Sequence, residues 1–223
     1  QVKLMLRERG GKKERQQFLL HCDSSGTTGM HLAARFGHSE VVKELLQNGF
    51  PIDFCDGWHS LPPVFWAVSN PQIPCVAVLK ELEKFQGIAL ICRGKTPLHY
   101  AARFGNLEAV TFLIESEAID VNCPEDKTGR TALHISCARG YMGITSFLLA
   151  HGANVLAKNK NGETPLFEAY MGKCAPVVLL LSRRGVFPSA LEYEMLKKLF
   201  ENDPKGKRLL ELPHEDALRR IRN

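Results

Sequence analysis

Three sets of side chains in this sequence have types and spacings that could do chemistry. The first is the stretch "ALICRGKT" at 89–96, close to a phosphate-binding loop. Such a loop works by aiming several backbone N–H groups of a glycine-rich turn at phosphate oxygens. Here Ala89 stands where the first glycine belongs, Leu90, Ile91 and Cys92 fill the cradle, and Pro97 has no N–H to offer. The stretch reads as a turn, not as a nucleotide site. The second set is His31, His99 and His134, each three residues after a threonine in a recurring phrase. The third is the seven cysteines, at 22, 55, 75, 92, 123, 137 and 174. Their odd number, scattered spacing and lack of any C-x-x-C argue against a disulfide framework or a zinc ribbon, and for reduced thiols in an intracellular protein. Cys137 sits where the parallel phrases carry Ala, so it reads as a small core residue. No general base or oxyanion arrangement accompanies it. The expectation is a non-enzymatic chain with no cofactor and no metal.

A repeat positions these residues. "HLAARFGH" at 31–38 and "HYAARFGN" at 99–106 start 68 residues apart. Anchoring three residues before His31 and stepping along the chain gives Thr28, Pro62, Thr96, Thr131 and Thr164, at intervals of 34, 34, 35 and 33, so the 68 is two periods with a degenerate copy between. A mostly apolar trio follows at fixed offsets: Val41, Val42 and Leu45; Ala109, Val110 and Leu113; Ile144, Thr145 and Leu148; Val177, Val178 and Leu181. Upstream, "DSSGTT" (23–28), "DKTGRT" (126–131) and "NKNGET" (159–164) each open a turn with Asp or Asn and carry Gly three residues later. Each unit therefore reads as turn, short helix, glycine stop, second helix and loop. Thr caps the first helix, and Pro97 and Pro165 fall where a first turn tolerates proline. Ala33–Ala34 and Ala101–Ala102 allow close packing, and Gly37, Gly105 and Gly140 end the helix. Neither helix can bury its apolar face alone, so the units must stack. Stacking holds His31, His99 and His134 apart at unit spacing, where they cannot converge on a metal.

The phrases "TPLHYAARFG" (96–105), "TALHISCARG" (131–140) and "GANV" (152–155) resemble the ankyrin-repeat family. The resemblance covers residues 16–187. It implies an all-α solenoid of helix-turn-helix units joined by β-turn or hairpin loops, in which each His orders its turn by hydrogen bonding. The second unit departs from the pattern, with Pro62, Phe65 and Trp66 and the interruption "NPQIP" at 70–74; the fifth has Phe167 for His and Lys173 for Gly. Residues 1–15 read as the end of a preceding repeat and a basic linker, so the natural protein is expected to continue upstream of Gln1. Residues 188–223 read as a C-terminal helical cap, or else as the start of another domain. There Ser189 and Glu192 form a capping box for a helix over 189–202, with Leu191, Met195 and Leu199 on one face. A last helix is expected from Pro213 through Ile221.

The charge is segregated. Net charge is +5, yet residues 1–15 carry six Lys/Arg against two Glu and residues 204–223 carry six against three acids, leaving 17 basic and 19 acidic residues between. The resemblance implies that the turn tips and the first-helix ends face a shared concave surface. Of the 25 residues at offsets −4, −3, −1, +7 and +8 from the five anchors, eight are Lys or Arg and one is acidic. The partner-binding candidates are Arg35, Phe36, Trp58, Arg93, Lys95, Arg103, Phe104, Arg130 and Arg139, with Trp66 and Tyr100 adjacent. Arginine interleaved with aromatics is the composition that binding hot spots favour. The expected function is a protein–protein interaction module, an adaptor or scaffold, whose groove takes an acidic or phosphorylated segment of a partner. The alternative is a regulatory or sensor domain of a larger protein, binding a nucleic acid or a phosphorylated small ligand; the slightly acidic body argues against nucleic acid. The longest apolar runs, such as "VVLLL" at 177–181, are too short to span a bilayer. The expected location is intracellular, cytoplasmic or nuclear.

Overall fold

The structure, a computed structural model, describes residues 17–222, with side chains through 213. The repeat remnant and linker expected at 1–15 lie outside the described residues. Regular structure among these is helical, with two isolated β-bridges, Cys22 to Thr28 and Cys92 to Lys95. The chain divides after Ile119 into two compact units.

In the first unit, helices pair as α1 (Gly29–Arg35) with α2 (Ser39–Gln47), α3 (Pro63–Val68) with α4 (Val76–Lys84), and α5 (Pro97–Phe104) with α6 (Leu107–Glu115). They are six to nine residues long. Isolated helices shorter than about 12–15 residues are marginal in water, so these depend on packing. First helices stack α1 on α3 on α5, and second helices α2 on α4 on α6. Met30, Phe65, Leu79, Leu82, Leu98 and Leu113 are fully buried between them. Thr28 and Thr96 sit in extended backbone and cap α1 and α5. The His31 Nδ1 accepts from the Thr28 N–H (3.3 Å) and lies 2.8 Å from its hydroxyl, while its Nε2–H donates to the Phe54 and Leu61 carbonyls, both at 3.1 Å. One ring thus ties a helix start to the loop of the next repeat. Burial lowers the His31 pKa, which keeps the ring in the neutral tautomer these bonds require. In the second repeat, "NPQIP" lies in the loop between α3 and α4. The buried Asn106 side chain donates to the Val68 carbonyl across it (3.2 Å) and accepts from the Ala109 N–H (3.0 Å).

In the second unit, α7 (Ala132–Arg139) pairs with α8 (Met142–Ala150) and α9 (Pro165–Met171) with α10 (Ala175–Ser182), followed by α11 (Ala190–Leu199) and α12 (Pro204–Arg222). The turn before α7 opens at Glu125 and not, as the sequence suggested, at Asp126. The Glu125 N–H pairs with the Arg130 carbonyl (2.9 Å), and the Gly129 N–H returns to the Glu125 carbonyl (2.8 Å). His134 repeats the histidine arrangement, accepting from the Thr131 N–H (3.2 Å) and donating to the Glu163 carbonyl (3.2 Å). Phe167 cannot do this for Thr164. Glu192 of α11 does it instead: its Oε1 accepts from the Thr164 N–H (3.1 Å) and hydroxyl (2.6 Å), and its Oε2 from the Ser189 N–H and hydroxyl, both 2.9 Å.

That demand decides how α11 lies. Leu191, Met195 and Leu199 do share a face, but they are 73%, 43% and 56% exposed; the buried line is Glu192, Leu196 and Phe200. One residue along a helix is about 100° around it, so turning Glu192 inward turns Leu191 out. The last helix also departs from expectation. It begins at Pro204, not Pro213, and Pro213 lies inside it. The Asp203 carboxylate accepts from the Lys205 N–H (3.2 Å) at its start. Gly206 fits against the Phe200 ring, where a Cβ would come within 2.4 Å. Leu209 and Leu210 are buried, and α12 packs on α9 and α10.

Candidate protein-binding groove

A groove of about 380 Å³ in the first unit is lined by Arg35, His59, Leu61, Phe65, Trp66, Ser69, Tyr100, Arg103 and Phe104. It brings together Arg35, Trp66, Tyr100, Arg103 and Phe104 of the residues expected from sequence. Each is placed by its repeat. Arg35 is the last residue of α1, Trp66 and Tyr100 sit four residues after their anchors, and Arg103 and Phe104 close α5.

Its aromatic floor is built on the buried Phe65, whose ring meets Tyr100 edge-on at 4.9 Å; Phe104 lies 6.1 Å beyond Tyr100. Trp66 is held by its own N–H, which donates to the Asp56 Oδ2 at 2.9 Å. The Arg35 guanidinium lies over the Trp66 ring at 5.5 Å and beside Phe36 at 6.0 Å. Stacking of this kind holds the planar guanidinium while leaving its N–H edge available. Arg103 is exposed.

Asp56 organises the arrangement without lining it. It is buried, and besides Trp66 it accepts the backbone N–H groups of His59 and Leu61. Burial alone would raise its pKa, but these three bonds outweigh that and hold the carboxyl below its ordinary range. The His59 Nδ1 lies 3.7 Å from its Oδ1. Neither Asp56 nor Phe65 was among the binding residues expected from sequence, where Phe65 figured only as a departure from the repeat pattern. Asp56 opens its turn as Asp23 does, which is a legible signal; its reach to Trp66 ten residues on is not.

The other expected residues lie around or apart from this groove. Phe36 is half exposed beside Arg35, and Trp58, 77% exposed, meets the His59 ring edge-on at 6.3 Å. The Arg93 guanidinium donates to the Ser60 hydroxyl (2.9 Å) from a tight turn in which Arg93 itself has φ 51°. Lys95 is half-buried at the foot of that turn. Arg130 and Arg139 belong to the second unit. Arg139 is exposed, whereas the Arg130 Nε pairs with Glu168 at 2.7 Å. Glu168 stands at the same offset as Trp66 and Tyr100, so the second unit answers one of its own cations. Burial raises the Glu168 pKa, Arg130 opposes this, and Glu163 and Glu125 add to it.

Among the described residues no group of three His, Cys, Asp or Glu could hold a metal, and no helix is long and apolar enough to cross a membrane.

Comparison with known proteins identifies the repeats. A family described as ankyrin repeats (3 copies) matches residues 2–84, 30–125 and 119–191. Among curated proteins, BCL-6 corepressor-like protein 1 of Homo sapiens is 32% identical over 128 residues, covering 57% of this chain and 6% of that protein. Synphilin-1 of Mus musculus is 28% identical over 149 residues, 64% of this chain and 15% of that protein. Neurogenic locus notch homolog protein 1 of Homo sapiens is 35% identical over 147 residues, 66% of this chain and 6% of that protein. The chain thus spans only a small part of the length of these relatives.

Proposed function

This chain belongs to the ankyrin-repeat family, a family of protein-interaction modules, and from that premise we propose that its basic–aromatic groove binds an acidic or phosphorylated segment of a partner protein. One observation carries the reading: Arg35 is stacked on a Trp66 that is itself fixed by the buried Asp56, beside an open aromatic floor. A cation held this way loses little freedom on binding and offers a two-pronged edge to carboxylate or phosphate. Arg103 supplies a second cation on the same groove. Phe36, Trp58, Arg93 and Lys95 extend the surface along the first unit; within the second unit Arg139 offers an exposed cation of its own, while Arg130 is engaged by Glu168. The role is non-catalytic, an adaptor or scaffold within the cell, cytoplasmic or nuclear; the seven free cysteines support a reducing compartment.

The test is a pulldown from cell lysate with the wild type and the Arg35→Glu/Arg103→Glu double variant, read by quantitative mass spectrometry after circular dichroism has checked both folds. Proteins retained by the wild type are expected to be lost from the double variant and to carry acidic or phosphorylated segments. Equal retention by both proteins refutes the groove.

A further inference from the structure

The groove has two chemically different halves, and a ligand must satisfy both. Arg35 covers Trp66 at 5.5 Å, so the aromatic surface left for a ligand is that of Tyr100 and the 40%-exposed Phe104. These two rings lie 6.1 Å apart and tilted by 40°, with Phe65 edge-on beneath Tyr100. Aromatic rings prefer offset or edge-on partners at centroid distances of about 4.5–7 Å. A third ring laid on this floor meets that preference. The Arg35 guanidinium lines the same groove, stacked on Trp66.

An aliphatic acid satisfies only half of this. A glutamate or phosphoserine side chain puts its charge on Arg35 and leaves the floor wet. An unmodified tyrosine covers the floor and leaves the arginine's donors to water. A phosphotyrosine does both, because its ring carries the phosphate one ring-length from the main chain. The cavity, about 380 Å³, is larger than a lone phosphate fills. Among the described residues no carboxylate lines the groove, and Asp56, which holds Trp66, is buried and engaged with three N–H groups.

We propose, on the footing of the binding function above, that the anchor this groove takes is a phosphotyrosine side chain, with its ring on Tyr100 and Phe104 and its phosphate held two-pronged by Arg35. Arg103, at the end of α5, then takes an acidic residue neighbouring the phosphotyrosine. Arg35→Lys is the informative conservative change. Lysine keeps the charge but presents no planar fork and does not stack as guanidinium does.

The experiment measures binding of four synthetic peptides to the wild-type chain by fluorescence anisotropy. They share the sequence Asp-Glu-X-Asp-Leu, with X as phosphotyrosine, tyrosine, phosphoserine or glutamate; phenyl phosphate and AMP serve as small probes. The phosphotyrosine peptide is expected to bind at least tenfold more tightly than each of the others. Arg35→Lys and Phe104→Ala should each remove most of that preference, and phenyl phosphate should displace the peptide. If all four peptides bind alike and Arg35→Glu weakens them equally, the acidic-groove reading stands and the phosphotyrosine anchor is refuted. If none binds, both fail. Tighter binding of AMP than of phenyl phosphate, lost in Arg35→Glu, overturns the peptide anchor in favour of a nucleotide.

Discussion

Glu192→Gln isolates the polar contact by which α11 joins the preceding repeat of the second unit. Glu192 is 7% exposed, and its carboxylate accepts four hydrogen bonds, two from Thr164 at Oε1 and two from Ser189 at Oε2. Gln keeps the shape but replaces one acceptor oxygen with an NH2 group. The hydroxyl facing that NH2 can rotate to accept, whereas the backbone N–H beside it cannot. One buried N–H is left facing a donor, which costs about 1–3 kcal/mol, and the remaining bonds lose their charge assistance, about 1 kcal/mol more. A loss of roughly 2–4 kcal/mol results. In a stacked array this loss falls on the local unit and its neighbour. Amides of 190–212 should therefore exchange about 30- to 1,000-fold faster in the variant, at about 1.4 kcal/mol per decade, while those of 29–115 stay unchanged. The effect also has a pH signature. Burial opposes the Glu192 charge, but the bonds from Thr164 and Ser189 outweigh it and hold the carboxyl below the ordinary 4.5. Its stabilisation is present above that value and is lost as pH falls through the lowered folded-state value. Wild type and variant should thus converge in acid. An exchange change under threefold at pH 7, or a gap that persists in strong acid, would refute the argument.

Further outcomes follow from the same contacts. His134→Ala should cost about 1–3 kcal/mol in urea melts, since the Thr131 N–H and Glu163 carbonyl lose a buried partner, and a chelator should leave Tm where it was; a chelator shift of several degrees would make the histidine a ligand. Asp56→Ala strands the His59, Leu61 and Trp66 N–H groups, so it should destabilise by roughly 3 kcal/mol or more and change the Trp66 fluorescence; an unchanged melt would mean that water replaces the carboxylate. Glu168 should act with the opposite pH sign to Glu192. Its carboxyl is raised above 4.5, so its contribution is present below that value and lost as pH rises through the raised folded-state value; a Glu168→Gln protein that keeps the wild-type slope in that window would refute this. Arg103→Glu should slow association with a groove-binding peptide, and salt should slow the wild type the same way, whereas Phe104→Ala should speed dissociation; stopped-flow kinetics at two salt concentrations separate the two.

The repeat, its anchors and its glycine stops were legible because each is a local requirement. A cap needs an oxygen within three residues of the N–H it serves, and a helix stop needs a residue that tolerates positive φ: Gly105 and Gly140 have φ of 78° and 73°. The histidine phrase was legible for the same reason, since half of its bonding is to the Thr three residues back. The basic and aromatic residues of the groove could be located by offset alone. Their teamwork could not.

What only the tertiary structure decided are the meetings between side chains far apart in the chain. Trp66 reaches Asp56 across ten residues, Thr164 finds in Glu192, 28 residues on, the acceptor its own repeat lacks, and Arg130 meets the Glu168 that answers its charge. Which face of α11 turns inward followed from the second of these, against the apolar stripe read from the sequence. A periodic sequence determines the fold of each unit because backbone hydrogen bonding and helix ends are short-range problems. It leaves open which polar groups pair between units, because a buried donor takes whatever acceptor the packed neighbour brings within about 3 Å.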